Sequence, residues 1–100
     1  MQKELFDKYV NKVCKVYNIS TTELYTKKKT TELADARHML YFLCKEKGIK
    51  TPYIKKYMRD NGYPIDHSSI YHGHKKLLQK IEVDVDMKQV VEDIKKECTN

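Results

Sequence analysis

The sequence predicts an all-α fold, a compact bundle of about five helices with a helix-turn-helix in its second half. Three observations predict it. Apolar residues recur at spacings of three and four along most of the 100 residues, the spacing that gathers side chains on one helix face. Gly48, Pro52, Gly62 and Pro64 fall at or near the ends of those periodic segments. Strict alternation occurs in one place, Lys80-Ile81-Glu82-Val83-Asp84-Val85-Asp86, and a lone strand has no partner, so this stretch is expected as an irregular connection.

The elements follow in order. Leu5, Tyr9, Val13, Val16 and Tyr17, with Phe6 and Val10 beside them, make residues 2 to 17 an amphipathic helix that Asn18 can end. Ser20 followed by Glu23 resembles a capping box, in which each residue satisfies a free backbone donor of the other, and opens a short turn through Tyr25. Thr26-Lys27-Lys28-Lys29-Thr30 is a polar loop. Thr30 or Thr31 can cap the next helix, where Leu33, Ala36, Leu40, Leu43 and Cys44 mark one face and Met39, Tyr41 and Phe42 widen it. A helix apolar around so much of its circumference belongs at the centre of a bundle. Gly48 supplies a left-handed stop. Thr51-Pro52 reads as a cap followed by proline at the first helical position, ahead of Ile54, Tyr57 and Met58. Asp60-Asn61-Gly62-Tyr63-Pro64 is a turn, and from Asp66 the pattern Ile70, Gly73 or His74, Leu77 and Ile81 describes a further helix. A last, acidic helix within residues 82–100 carries Met87, Val90, Val91 and Ile94.

Residues 1–81 hold 17 Lys and Arg against 8 Asp and Glu, a net +9, while residues 82–100 hold 3 against 6, a net −3. So basic a domain suits a polyanionic partner. One hundred residues make a single domain, 1–100. Three widely spaced cysteines, Cys14, Cys44 and Cys98, fit a reduced, cytoplasmic protein better than a disulfide scaffold. With no run of eighteen apolar residues and no apolar leader, neither export nor a membrane is expected. No G-x-x-x-x-G-K-[ST] motif is present, so an ATP-driven activity is not expected. His67 and His74 are too far apart along one helix for a single ion, and no C-x-x-C or H-x-x-x-H pair exists. The acids of the basic region are scattered rather than clustered for a metal pair. Catalysis, a metal, a cofactor and a small-molecule substrate are therefore not expected.

The helices at 51–60 and 66–80 with the turn between them form the helix-turn-helix, whose second helix lies in a major groove and reaches base edges with its first residues. Burying Ile70, Leu77 and Ile81 leaves His67, Ser68, Ser69, Tyr71, His72, Lys75 and Lys76 to solvent or DNA. Hydroxyls can donate or accept at several bases, and Asp66 can accept from cytosine N4 or orient a neighbour. The plain alternative is that Asp66 with Ser68 or Ser69 merely caps the helix. Lys27-Lys28-Lys29 can follow phosphates or enter a narrow minor groove, or be only a solvated loop.

These residues carry a resemblance. Thr26-Lys27-Lys28-Lys29, then Ala36-Arg37-His38-Met39-Leu40-Tyr41-Phe42-Leu43-Cys44-Lys45-Glu46, then Asp66-His67-Ser68-Ser69-Ile70-Tyr71-His72-Gly73 resemble three motifs of the C-terminal DNA-binding domain (domain IV) of the bacterial replication initiator DnaA. Those motifs are a basic loop, a helix reading roughly A-R-x-x-A-M-Y-L-x-x-E, and D-H-T-T-V-x-H-A. They occur here in the family's order, and the similarity spans about residues 5–81. The resemblance implies a Trp-repressor-like fold that binds a short duplex box. It implies that Asp66, His67, Ser68 and Ser69 meet bases in the major groove, that Lys29 enters the minor groove, that Arg37 contacts DNA, and that Thr51-Pro52 stands where the family has L-P. Charge adds Lys28, Lys55, Lys75 and Lys76 as backbone contacts. Two departures stand out: a longer turn, Arg59 to Ile65, without the family's G-G-R, and lysines in place of loop arginines. Lysine keeps the charge but lacks the planar fork of arginine.

The expected function is sequence-preferring binding of double-stranded DNA by a stand-alone relative of that domain, a regulator or accessory factor in replication or transcription, nucleoid-associated or phage-encoded. The competing reading is a protein-interaction module or decoy that binds replication or transcription proteins, with Val90, Val91 and Ile94 on a docking helix. Core packing of that helix is the simpler expectation.

Overall fold

The computed structural model describes residues 2–99, which form α1 (Gln2–Tyr17), α2 (Thr21–Leu24), α3 (Thr31–Glu46), α4 (Thr51–Asp60), α5 (His67–Val83) and α6 (Val85–Thr99). Residues 1 and 100 of the expected 1–100 unit lie outside the described residues, and no strand occurs among those described. Among the described residues the helix count is six rather than about five because the Ser20 capping box opens a true four-residue helix: Glu23 N–H donates to Ser20 Oγ at 3.1 Å and Ser20 N–H to Glu23 Oε1 at 3.0 Å.

Local signals set most boundaries. Asn18 takes the left-handed conformation (φ 53°) that ends α1, and Thr30 rather than Thr31 caps α3, accepting from Leu33 N–H at 3.2 Å. Gly48 (φ 91°) closes α3, with Ile49 N–H returning to Cys44 O at 2.9 Å. Two expectations are corrected. Thr51 is not a cap: α4 begins there after an extended Lys50 that gives no side-chain cap, and the Thr51 hydroxyl accepts from Lys45 Nζ at 3.1 Å instead. Nor is 80–86 an irregular connection. The α5 helix continues to Val83, Asp84 alone is extended, and its carboxylate accepts Met87 N–H at 3.1 Å to open α6. Alternation over seven residues was the accident of two helix ends meeting.

As its composition predicts, α3 is central. Met39, Leu40, Phe42, Leu43 and Cys44 are buried on several sides of it, against Phe6, Tyr9 and Val13 of α1 and Ile70 and Leu77 of α5. Each fully buried side chain of this size contributes about 1.5–3 kcal/mol, so α3 organises the domain. The acidic α6 buries Val91, Ile94 and Cys98 in the same core. Its apolar stripe therefore packs inward, and Lys12 of α1 pairs with Glu97 across the seam. His74 stacks on Phe42 (centroids 5.1 Å apart) while its Nε2 lies 3.2 Å from Glu46, which also meets Lys95 at 3.6 Å. That cluster ties α3, α5 and α6 together. No described helix is long and apolar enough to cross a membrane.

At Gly73, α5 comes close against α3. A Cβ there would stand 2.8 Å from Tyr41 Cδ2, 3.0 Å from His38 Cδ2 and 3.3 Å from His38 Cα. Hydrogen in place of a side chain lets α5 lie directly on α3, which fixes how far the exposed face of α5 projects.

Candidate nucleic-acid interface

The unit α4, turn, α5 has the helix-turn-helix order, and the start of α5 is held open to solvent. Asp66 caps it, accepting from Ser69 N–H at 2.9 Å and from the Ser69 hydroxyl at 3.0 Å. The same backbone donor, followed by the hydroxyl, holds the Asp66 carboxyl below the usual aspartate range, so it is a fixed anion at neutral pH. The capping role is thus real for Asp66, and Ser69 already uses its hydroxyl proton on it. His67 and Ser68 are exposed at the same helix start. One and two turns on, Tyr71 (69% exposed), His72, Lys75 and Lys76 extend this outward surface.

The basic loop meets this helix start across one cleft. Lys27 and Lys29 line it together with Pro64, Asp66 and Ser69. Lys29 also lines the adjoining hollow with His38, Ser69 and His72, and a further groove with Thr30, Lys76 and Lys80. A cationic trough therefore runs from the cap of α5 along its flank. Lys80 is partly neutralised by Asp35 at 3.4 Å. Among the described residues no ion pair engages Lys27, Lys28, Lys29, Lys75 or Lys76. His38, half-buried at the floor, meets His72 edge-on at 6.0 Å. Burial holds His38 below the usual histidine range; the Asp35 carboxylate opposes this, and His72, Lys76 and Lys80 add to it. It stays uncharged at neutral pH.

Two expected site residues, Thr51 and Pro52, are not brought to this surface, and a third, Arg37, lines the hollow beside Lys29 only from beneath. Arg37 is buried (5% exposed), and its guanidinium is occupied: Nε donates to Leu24 O at 2.9 Å, Nη1 to Lys28 O at 3.2 Å and Nη2 to Thr26 O. The face of Tyr63 covers it, 4.3 Å from the guanidinium carbon. Where the resemblance implies a DNA contact, this arginine holds the basic loop from beneath. Thr51 and Pro52 stand at the far end of the ten-residue α4 from the turn and do not line the cleft. Sequence reasoning passed over Tyr63 and His38. The usable signal was the position of Arg37 among Leu33, Ala36 and Leu40: an arginine on a buried stripe requires several acceptors. His67, His72 and His74 face separate surroundings, and among the described residues no group of three His, Cys, Asp or Glu side chains is placed to hold a metal.

Comparison with known proteins places this geometry in context. A family model described as the bacterial dnaA protein helix-turn-helix matches residues 6–77. The chromosomal replication initiator protein DnaA of Aliarcobacter butzleri is 32% identical over 92 residues, covering 91% of this chain and 20% of that protein. The DnaA of Campylobacter jejuni strain 81-176 is 29% identical over 90 residues, covering 89% and 20%. That of Caldanaerobacter subterraneus is 27% identical over 85 residues, covering 84% and 18%. The chain spans about a fifth of the length of these relatives.

Proposed function

Because this chain belongs to the bacterial DnaA helix-turn-helix family, whose model covers residues 6–77, we propose that it binds double-stranded DNA with sequence preference as a regulator or accessory factor in replication or transcription. The observation that carries this reading is the cationic trough joining Lys27 and Lys29 to the open start of α5. In this reading His67 and Ser68 meet base edges in a major groove, with the Asp66 carboxylate beside them. Lys29 reaches the neighbouring minor groove or its rim. Lys27, Lys28, Lys75 and Lys76 meet phosphates, which supply most of the affinity and its salt dependence. His72, at the edge of the trough, adds a donor toward the backbone. No ATP-driven step is part of this proposal.

The test is selection from a randomised duplex pool at moderate salt. An enriched motif, bound more weakly as salt rises, is the expected result. A chain that retains no duplex at any salt concentration overturns the proposal and favours a protein partner.

A further inference from the structure

We infer that Arg37 and Tyr63 form a lock that positions the basic loop against the start of α5; its purpose rests on the DNA-binding reading above. Arg37 is a positioning residue here because its guanidinium is buried beneath Tyr63 and spent on three loop carbonyls.

The loop carries three consecutive cations, which repel one another and favour a spread of conformations. Thr26 bonds locally, its N–H and hydroxyl both donating to Glu23 O. Arg37 supplies the tertiary anchor. Its three nitrogens reach the carbonyls of Leu24, Thr26 and Lys28, alternate residues along the chain, so the loop backbone is gripped over its length. The planar guanidinium can aim donors at several acceptors at once, whereas a lysine ammonium is a compact charge on a flexible stem.

The second half of the lock comes from the turn. Tyr63 lies between α4 and α5, three residues before the cap Asp66, and its ring covers the guanidinium at 4.3 Å. Tyr63 N–H returns to Met58 O at 3.0 Å, which ties the turn to α4. Loop carbonyls, Arg37, Tyr63 and Asp66 thus form a continuous path from the Lys27–Lys29 segment to the helix start. The turn that departs from the family pattern provides the ring that covers an arginine expected at DNA. Preorganised cations need not be ordered at the moment of binding, so the lock raises affinity without touching DNA.

The test compares the parent chain with Tyr63→Leu, Tyr63→Phe and Arg37→Lys, each alone and with Lys29→Ala. Amide exchange and salt-dependent binding to an enriched duplex are the readouts. The leucine and lysine variants should exchange the loop's hydrogen-bonded Thr26 amide about tenfold faster while α1 and α3 keep parental protection; Tyr63→Phe, which keeps the ring face, should match the parent. Lys29→Ala should weaken binding in the parent and in Tyr63→Phe but have a clearly smaller effect beside Tyr63→Leu, the non-additivity expected of coupled residues. Unchanged loop exchange in Tyr63→Leu, or a fully additive Lys29 effect, overturns the lock. Should Arg37→Lys fail to fold, the Tyr63 pair decides. If the parent itself binds no duplex, the DNA-binding reading falls and loop exchange alone decides the lock.

Discussion

Ser69 holds the Asp66 carboxylate twice, its backbone N–H at 2.9 Å and its hydroxyl at 3.0 Å from the same oxygen. This pair caps α5, and it lowers the Asp66 pKa chiefly through the backbone donor and next through the hydroxyl. The folded value lies below the unfolded one of about 3.9, so the contribution to stability is fully present above that pH and is lost as pH falls through the lower folded value. Carboxyl-carbon NMR titration should show an Asp66 midpoint below the usual aspartate range, raised but not normalised in Ser69→Ala. An ordinary midpoint in the parent would contradict the cap geometry.

In the proposed DNA complex the same bond leaves base reading to neighbours of Ser69. Ser68→Ala should narrow the ratio of specific to random binding by up to about tenfold, the loss of one hydrogen bond worth about 1–1.5 kcal/mol. Lys28→Ala should instead weaken all duplexes alike and reduce the salt slope by about one. Competition binding over a salt series separates these effects, and a uniform loss for Ser68→Ala would remove it from the base-reading set.

Gly73→Ala tests the contact between α3 and α5. An alanine is worth about 1 kcal/mol over glycine within a helix, but overpacking costs about 1–3 kcal/mol. The backbone of His38 and the buried ring of Tyr41 leave little room to yield. Denaturant melts should therefore show a net loss of about 1 kcal/mol. A gain would mean that the two helices separate freely.

The Tyr17 hydroxyl is buried with no hydrogen-bond partner among the described residues, and burial, followed by the charge of Asp35, pushes its pKa up to about 12. Tyr17→Phe should leave stability unchanged or raise it by about 1 kcal/mol, since an unsatisfied buried group is removed at constant shape. A loss of that size in thermal melts would reveal an acceptor for the hydroxyl.

Ile94→Ala examines whether α6 belongs to the core. Its side chain is buried with Val91 and Cys98, so truncation should cost about 2–5 kcal/mol, a large part of the stability of a small domain. A cost under about 0.5 kcal/mol, the level of ordinary surface positions, would show α6 to be an appendage.

How much was legible depended on the range of each interaction. The helices, the Ser20 capping box, the left-handed stop at Gly48 and the Asp66 cap all rest on residues within four or five positions of one another, and each was readable. Thr51 and the 80–86 stretch were misread for the same reason: a cap-like hydroxyl and an alternating run satisfy local rules while distant contacts decide otherwise. Lys45 takes the Thr51 hydroxyl, and burial of Ile81, Met87 and Val91 along the core favours two abutting helices.

The sequence by itself determined the helical class, the helix-turn-helix, the cationic character of the first four-fifths and the motifs that mark its family, because periodicity, capping and composition are local properties. Only the tertiary structure decided that Arg37 faces inward under Tyr63, that Lys29 stands beside Ser69 and His72, and that α5 lies against α3 at Gly73. Each joins residues far apart in the chain. Burial then makes their geometry decisive, because a desolvated cation or a crowded Cβ admits few arrangements.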